Sequence, residues 1–194
     1  MRNGAMIAAA GDRELTSTYG VQLSDRLSGR PRAAADEDFL LGLFAESRPE
    51  LALLPDGIRT QLIRMQFESQ RSQYCAMAPD AVDWILAVDH HGGTQPVGRC
   101  YLWQRPQEHR LLDLAISCQW RRQGLGSTVL ERLCADAARA GVPLRLSVWQ
   151  ANQDAVRLYR RHGFVADVVA NDRDGAGSDP AGYLRLQWSA GGQR

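Results

Sequence analysis

The stretch Arg110-Leu-Leu-Asp-Leu-Ala-Ile-Ser-Cys-Gln-Trp-Arg-Arg-Gln-Gly-Leu-Gly-Ser127 decides how this chain folds. Its first seven residues read as a strand, and the apolar run then gives way to a polar loop carrying Gly124 and Gly126. From Gly124 the pattern is helical, with Leu125, Val129, Leu133 and Ala137 on one face and Thr128, Arg132, Asp136 and Arg139 elsewhere. Gly141 and Pro143 end the helix. Leu144, Leu146 and Val148 then alternate with Arg145, Ser147 and Trp149, as in a half-buried strand. Residues 110–149 therefore form one strand-helix-strand unit. Two glycines between strand and helix let a ligand reach backbone N–H groups, and the helix N-terminus favours negative charge. The same pair also suits a tight turn with no ligand. A Walker loop does not fit, because no Lys-Ser/Thr pair follows, and a dinucleotide fingerprint lacks its third glycine.

Downstream, Asn152 caps a helix carrying Ala155, Val156, Leu158 and Tyr159 that stops at Gly163. Residues 164–169 and 182–188 supply two closing strands around a polar, glycine-rich loop at 171–180. Upstream, a strand starting at Val21 ends near Pro31. Asp36 or Asp38 then caps a helix with Phe39, Leu40, Leu43 and Phe44 at helical spacing. Pro55 and Asp56 open a second helix, in which Ile58, Leu62, Ile63, Met65 and Phe67 lead on to about Tyr74. A hairpin follows, with strands at 84–88 and 97–103 joined through His90, His91 and a Gly-Gly turn.

The 194 residues suit one domain over 20–190, with a loose tail at 1–19 and a short one at 191–194. With 44% hydrophobic and 23% charged residues and a net charge of +1, the composition suits a soluble globular protein without the basic field of a nucleic-acid binder. No run approaches the roughly 20 apolar residues of a membrane span. Cys75, Cys100, Cys118 and Cys134 stand singly, which suggests free thiols in a reducing cytoplasm and no metal site.

The segment from Leu114 to Ser127 resembles the acetyl-CoA motif of GNAT N-acyltransferases, whose core reads Arg/Gln-x-x-Gly-x-Gly/Ala. Asn152 through Phe164 is similar to the N-x-x-A-x-x-L-Y-x-x-x-G-F motif that follows it, at every fixed position. The helices before them also look like those of a bacterial GNAT subgroup sharing a Met65-Gln66-Phe67-Glu68 type segment. The resemblance implies a mixed α/β fold whose central, mostly antiparallel sheet is splayed between two parallel strands and flanked by helices. It implies acetyl-CoA as acyl donor. The main chain of Leu114, Ala115 and Ile116 would pair with the pantetheine arm. Amides from Arg122, Gln123, Gly124, Leu125, Gly126 and Ser127 would hold the diphosphate beside Arg121, and the Asn152 side chain would contact pantetheine.

By helical spacing alone Tyr159 is a core tyrosine; within the motif it is the acid that protonates the departing sulfur. Many GNAT enzymes carry a Glu base five residues before the Asn, but Ser147 stands there. Asp113, Glu108 or a water chain remain as the base, although each carboxylate also reads as an exposed structural residue. Cys118 replaces a common Pro and Arg122 a frequent glycine. Direct transfer to a primary amine of a small molecule or peptide needs no Cys118 nucleophile. A non-catalytic acyl-CoA sensor of the same fold is the other reading, a homodimer is left open, and near-neutral charge disfavours an aminoacyl-tRNA acceptor. The N-terminal helices and the 171–180 loop are expected to set substrate choice.

Overall fold

A computed structural model describes residues 20–90, 92–167 and 182–191. The tail at 1–19, the 171–180 loop and residues 192–194 lie outside the described residues.

Among the described residues, eight strands form one sheet in the order β1-β2-β3-β4-β5-β6-β8-β7. They are β1 (Val21–Gln22), β2 (Leu27–Pro31), β3 (Val82–His90), β4 (Gly93–Arg105), β5 (Glu108–Ile116), β6 (Leu144–Trp149), β7 (Val165–Ala166) and β8 (Tyr183–Trp188). Every neighbouring pair is antiparallel except β5 and β6. That parallel pair needs a crossover, supplied by helix α3 (Leu125–Ala140). Helices α1 (Glu37–Ala45) and α2 (Asp56–Met77) precede the hairpin, and α4 (Gln153–Arg161) follows β6.

The apolar alternation of the strands divides the core by face. Leu86, Cys100, Leu102, Leu111, Leu144, Leu146 and Val148 pack with Val129, Leu130, Leu133 and Ala137 of α3 and with Val156 and Tyr159 of α4. Ile85 on the opposite face packs with Leu40 and Phe44 of α1 and Phe67 of α2. The side carrying α1 and α2 also holds charge. Buried Arg99 grips Asp83 through Nε and Nη2 at 2.7 and 2.9 Å and reaches Asp113 through Nη1 at 3.4 Å.

Several sequence expectations are corrected. The single strand read between Val21 and Pro31 is a hairpin, closed at Ser24, whose hydroxyl accepts from the Leu27 N–H at 3.2 Å. Asp36 stands at the start of α1, but its carboxylate binds Arg30 and the Ala33 N–H instead of capping the helix. In α2 only Phe67 is fully buried, and Ile58 and Met65 face solvent. Asp136, placed by periodicity away from the core face of α3, is buried because Arg132 and Arg139 of the same helix both pair with it. The strand expected over 164–169 is described only at Val165–Ala166, and residues 168–169 lie outside the described residues. Among the described residues no helix is long and apolar enough to cross a membrane.

Candidate active site

The parallel pairing of β5 with β6 covers only His109–Leu144, Arg110–Arg145 and Leu111–Leu146. Beyond it β5 runs on to Ile116 beside β4, and β6 runs on to Trp149 beside β8, so the two strands diverge. A bulge in β5 marks the point of divergence. Tyr101 pairs with Asp113 and Leu102 with Leu111, which leaves Leu112 as the extra residue. The side chain of Tyr74 on α2 satisfies the bulge, its hydroxyl donating to the Leu112 carbonyl at 3.0 Å.

Strand alternation shows which backbone groups line the opening. The Ser117 N–H donates to Val97 of β4 at 2.8 Å, so the amide and carbonyl of residues 115 and 117 turn towards β4, and those of Leu114 and Ile116 turn towards the opening. Ala115 therefore belongs to the same strand edge without presenting its own backbone there. The Ile116 carbonyl already accepts from Arg121 Nε at 2.7 Å.

At one end of the opening, β5 leads through a short turn at Cys118–Trp120 to Arg121 and the start of α3. Arg122 at φ 60° and Gly124 at φ 83° turn the chain sharply before the helix. The amides of Leu125, Gly126 and Ser127 occupy the first three helical positions, which have no intrahelical acceptor, and the Thr128 N–H makes the first helical bond, to Gly124 at 3.0 Å. These free donors at a positive helix end form a cradle for an anion. Ser127 Oγ lies 3.0 Å from His162 Nε2, tying the cradle to the end of α4. Arg122 and Gln123 are exposed, and Gln123 Nε2 donates to the Gln119 carbonyl at 3.2 Å. Arg121 lies not over the cradle but back against β5, its Nη2 3.2 Å from Glu46.

Tyr159 comes up from α4 and is 7% exposed, its ring edge-on to Phe164 with centroids 5.6 Å apart. Burial raises its phenol pKa, and the nearby Asp113 and Cys100 raise it further, so the hydroxyl keeps its proton at neutral pH. Cys100 at the same depth is pushed up to about 12, chiefly by burial. Asn152 at the head of α4 is exposed and accepts the Ala155 N–H on its side-chain oxygen at 3.2 Å, a bond that does not use its NH2 group.

The two carboxylates considered as bases have different surroundings. Glu108 lies where β5 and β6 are still paired. It is buried, not exposed as the sequence suggested, and it binds Arg145 at 2.7 Å and Arg105 at 3.3 Å. Burial alone would raise its pKa, but the Arg145 bond and the charges of Arg110, Arg145 and Arg105 hold it below the usual carboxylate range. Asp113 lies immediately past the bulge, on the α1 and α2 side of the sheet. It is recessed but not sealed, with 29% of its side chain accessible. Burial raises its pKa against the pull of Arg99, whose fork is already committed to Asp83.

Glu46 carries no signal in the sequence. It follows the last turn of α1, yet its carboxylate accepts from Ser117 Oγ at 3.0 Å, from the Cys118 N–H at 2.6 Å and from Arg121.

Residues 53–164 match the model of the acetyltransferase (GNAT) family. No curated protein matches the chain. Among solved structures, a domain from Methanocaldococcus jannaschii superposes with a TM-score of 0.59 at 11% identity, over 85% of this chain and 99% of that one. The PaiA N-acetyltransferase of Thermoplasma acidophilum, solved in complex with coenzyme A, gives 0.55 at 15% identity over 84% and 98%. An acetyltransferase from Thermus thermophilus gives 0.54 at 22% identity over 83% and 94%. At these identities the likeness is one of fold.

Proposed function

The chain belongs to the acetyltransferase (GNAT) family, and from that premise we propose that it transfers an acetyl group from acetyl-CoA to a primary amine of a small molecule or peptide, by direct attack in a ternary complex. One observation carries this reading: the strand opening has the Leu114 backbone groups and the Ile116 N–H at its edge, a helix-end anion cradle at Leu125–Ser127 and a buried neutral tyrosine, all within one strand-helix-strand-helix run. These groups fit acyl-CoA, since a pantetheine arm can add as a strand while its diphosphate rests on the cradle amides.

The residues then divide the work by face. Leu114 and Ile116 orient the thioester along β5, and Tyr159 donates a proton to the sulfur from the α4 side as the C–S bond breaks. Asp113, on the opposite side of the sheet, takes the proton that the amine loses as its nitrogen bonds to the acyl carbon. An alkyl amine with a pKa near 10 is mostly charged at pH 7, so it must first shed one proton to solvent to expose its lone pair, and the second, lost as the amide forms, is the one Asp113 takes. A chain that lacks Glu at position 147 can thus keep a carboxylate base on the neighbouring strand.

Thiol release from acetyl-CoA across a panel of amines and peptides tests the proposal. Coenzyme A binding without release for any acceptor would instead make the chain a sensor. The pH dependence of kcat/KM tests the base. Asp113 acts only when ionised and its pKa is raised, so the rate should rise with pH through an acidic limb displaced above the ordinary carboxylate range. Asp113→Asn should remove that limb and cost about ten- to a hundredfold at pH 7, with water as the remaining acceptor. Glu108→Gln should leave the profile's shape unchanged. An unaltered profile in Asp113→Asn would show that water alone takes the proton.

Asn152 has two separable roles. Asn152→Ala should cost about 1 kcal/mol of stability through the lost cap, read as a lower midpoint in urea. Asn152→Asp keeps the cap oxygen and should retain that midpoint, while raising KM for acetyl-CoA through loss of the NH2 donor. An unchanged KM would leave Asn152 as a helix cap only.

A further inference from the structure

Glu46 sits against local preference. A carboxylate just past the last turn of a helix meets the negative end of the helix dipole, where a cation is favoured. What offsets this is distant in sequence: three donors, all from residues 117–121 and none from its own helix. They include a backbone amide and the hydroxyl of buried Ser117, so this is more than a surface ion pair. The segment they hold joins the β5 edge to the anion cradle. Arg121 is doubly engaged, with Nη2 on Glu46 and Nε on the Ile116 carbonyl at 2.7 Å. Glu46 therefore fixes the turn at Ser117 and Cys118 directly, and fixes the last carbonyl of the strand edge through Arg121.

We propose that Glu46 is a positioning residue for the acyl donor, tying the end of α1 to the 117–121 turn and so setting the placement of the cradle relative to the β5 edge. The proposal rests on the acyl-CoA reading of the opening. A residue that acts through the 117–121 turn should show its effect in donor affinity and not in the chemical step.

Calorimetric titration with coenzyme A and steady-state kinetics on the full chain, for wild type, Glu46→Ala and Glu46→Gln, test it. Glu46→Ala should weaken coenzyme A binding and raise KM for acetyl-CoA by about tenfold, the order of one charge-assisted hydrogen bond, with kcat at saturating donor within about twofold of wild type. Glu46→Gln keeps an acceptor oxygen but not the charge and should fall between them. It also decides the matter if the alanine variant does not fold. Wild type that binds no coenzyme A would refute the acyl-CoA reading itself. Wild type that binds, with folded variants of equal affinity or with a lower kcat at unchanged affinity, would overturn the role of Glu46 alone.

Discussion

Tyr159→Phe should lower turnover by about 10²- to 10⁴-fold at saturating substrates while leaving coenzyme A affinity and the folded state nearly unchanged. The phenylalanine ring keeps the edge-on contact with Phe164, and only the hydroxyl is lost. A buried phenol with a raised pKa is a weak acid, and towards a thiolate in water it would transfer its proton uphill. The opening is not water. Burial pushes the Cys100 thiol in the same region up to about 12, and a departing thiolate held at that depth is made more basic by the same desolvation. Acid and acceptor therefore shift together, and the donated hydrogen bond strengthens as charge develops on sulfur. Single-turnover rates with acetyl-CoA and the best amine of the panel measure the effect. Normal turnover in the variant would reduce Tyr159 to a core side chain.

Gly126→Asp should weaken coenzyme A binding by about 10²-fold or more and leave a folded protein. A carboxylate at the second position of α3 favours the helix itself, because it sits at the positive end of the dipole. The same carboxylate stands beside the cradle amides, where like-charge juxtaposition with a diphosphate costs several kcal/mol. Some crowding is expected as well, since a Cβ at this position would lie 3.3 Å from Leu158 Cδ2 on α4. Gly126→Ala carries that crowding without the charge and separates the two effects. Calorimetry on both variants decides between them. Full affinity in Gly126→Asp would mean that the two glycines only shape the turn.

Legibility in the sequence followed the range of the interactions. The unit from Arg110 to Trp149 was readable because its periodicities are local, and β6 and α3 lie where alternation and the two glycines put them. The hairpin at Val21–Pro31 looks like one strand in the sequence because its turn contains neither glycine nor proline and is closed by Ser24. The sequence alone places Asp136 and Glu108 outside because a lone charge belongs in water, yet each is buried beside arginines. For Asp136 the partners are one turn away, so the ion pairs could have been anticipated; for Glu108 one partner lies 37 residues on. The bulge at Leu112 and the contacts of Glu46 depend on α2 and α1 packing against a strand far along the chain. No local pattern encodes them.

The strand order bears on how a nascent chain acquires this site. β8 is the last described strand to be synthesised, yet it lies between β6 and β7 and pairs with β6 along its whole length. Until Tyr183–Trp188 leaves the ribosome, β6 can pair only through its three-residue parallel contact with β5, and its other edge stays bare. Such an edge is a template for pairing with another chain. The N-terminal half, built from adjacent antiparallel strands, can form as it emerges, whereas the far wall of the opening waits for the final strand. Chaperone demand during translation should therefore be greatest between the synthesis of β6 and that of β8.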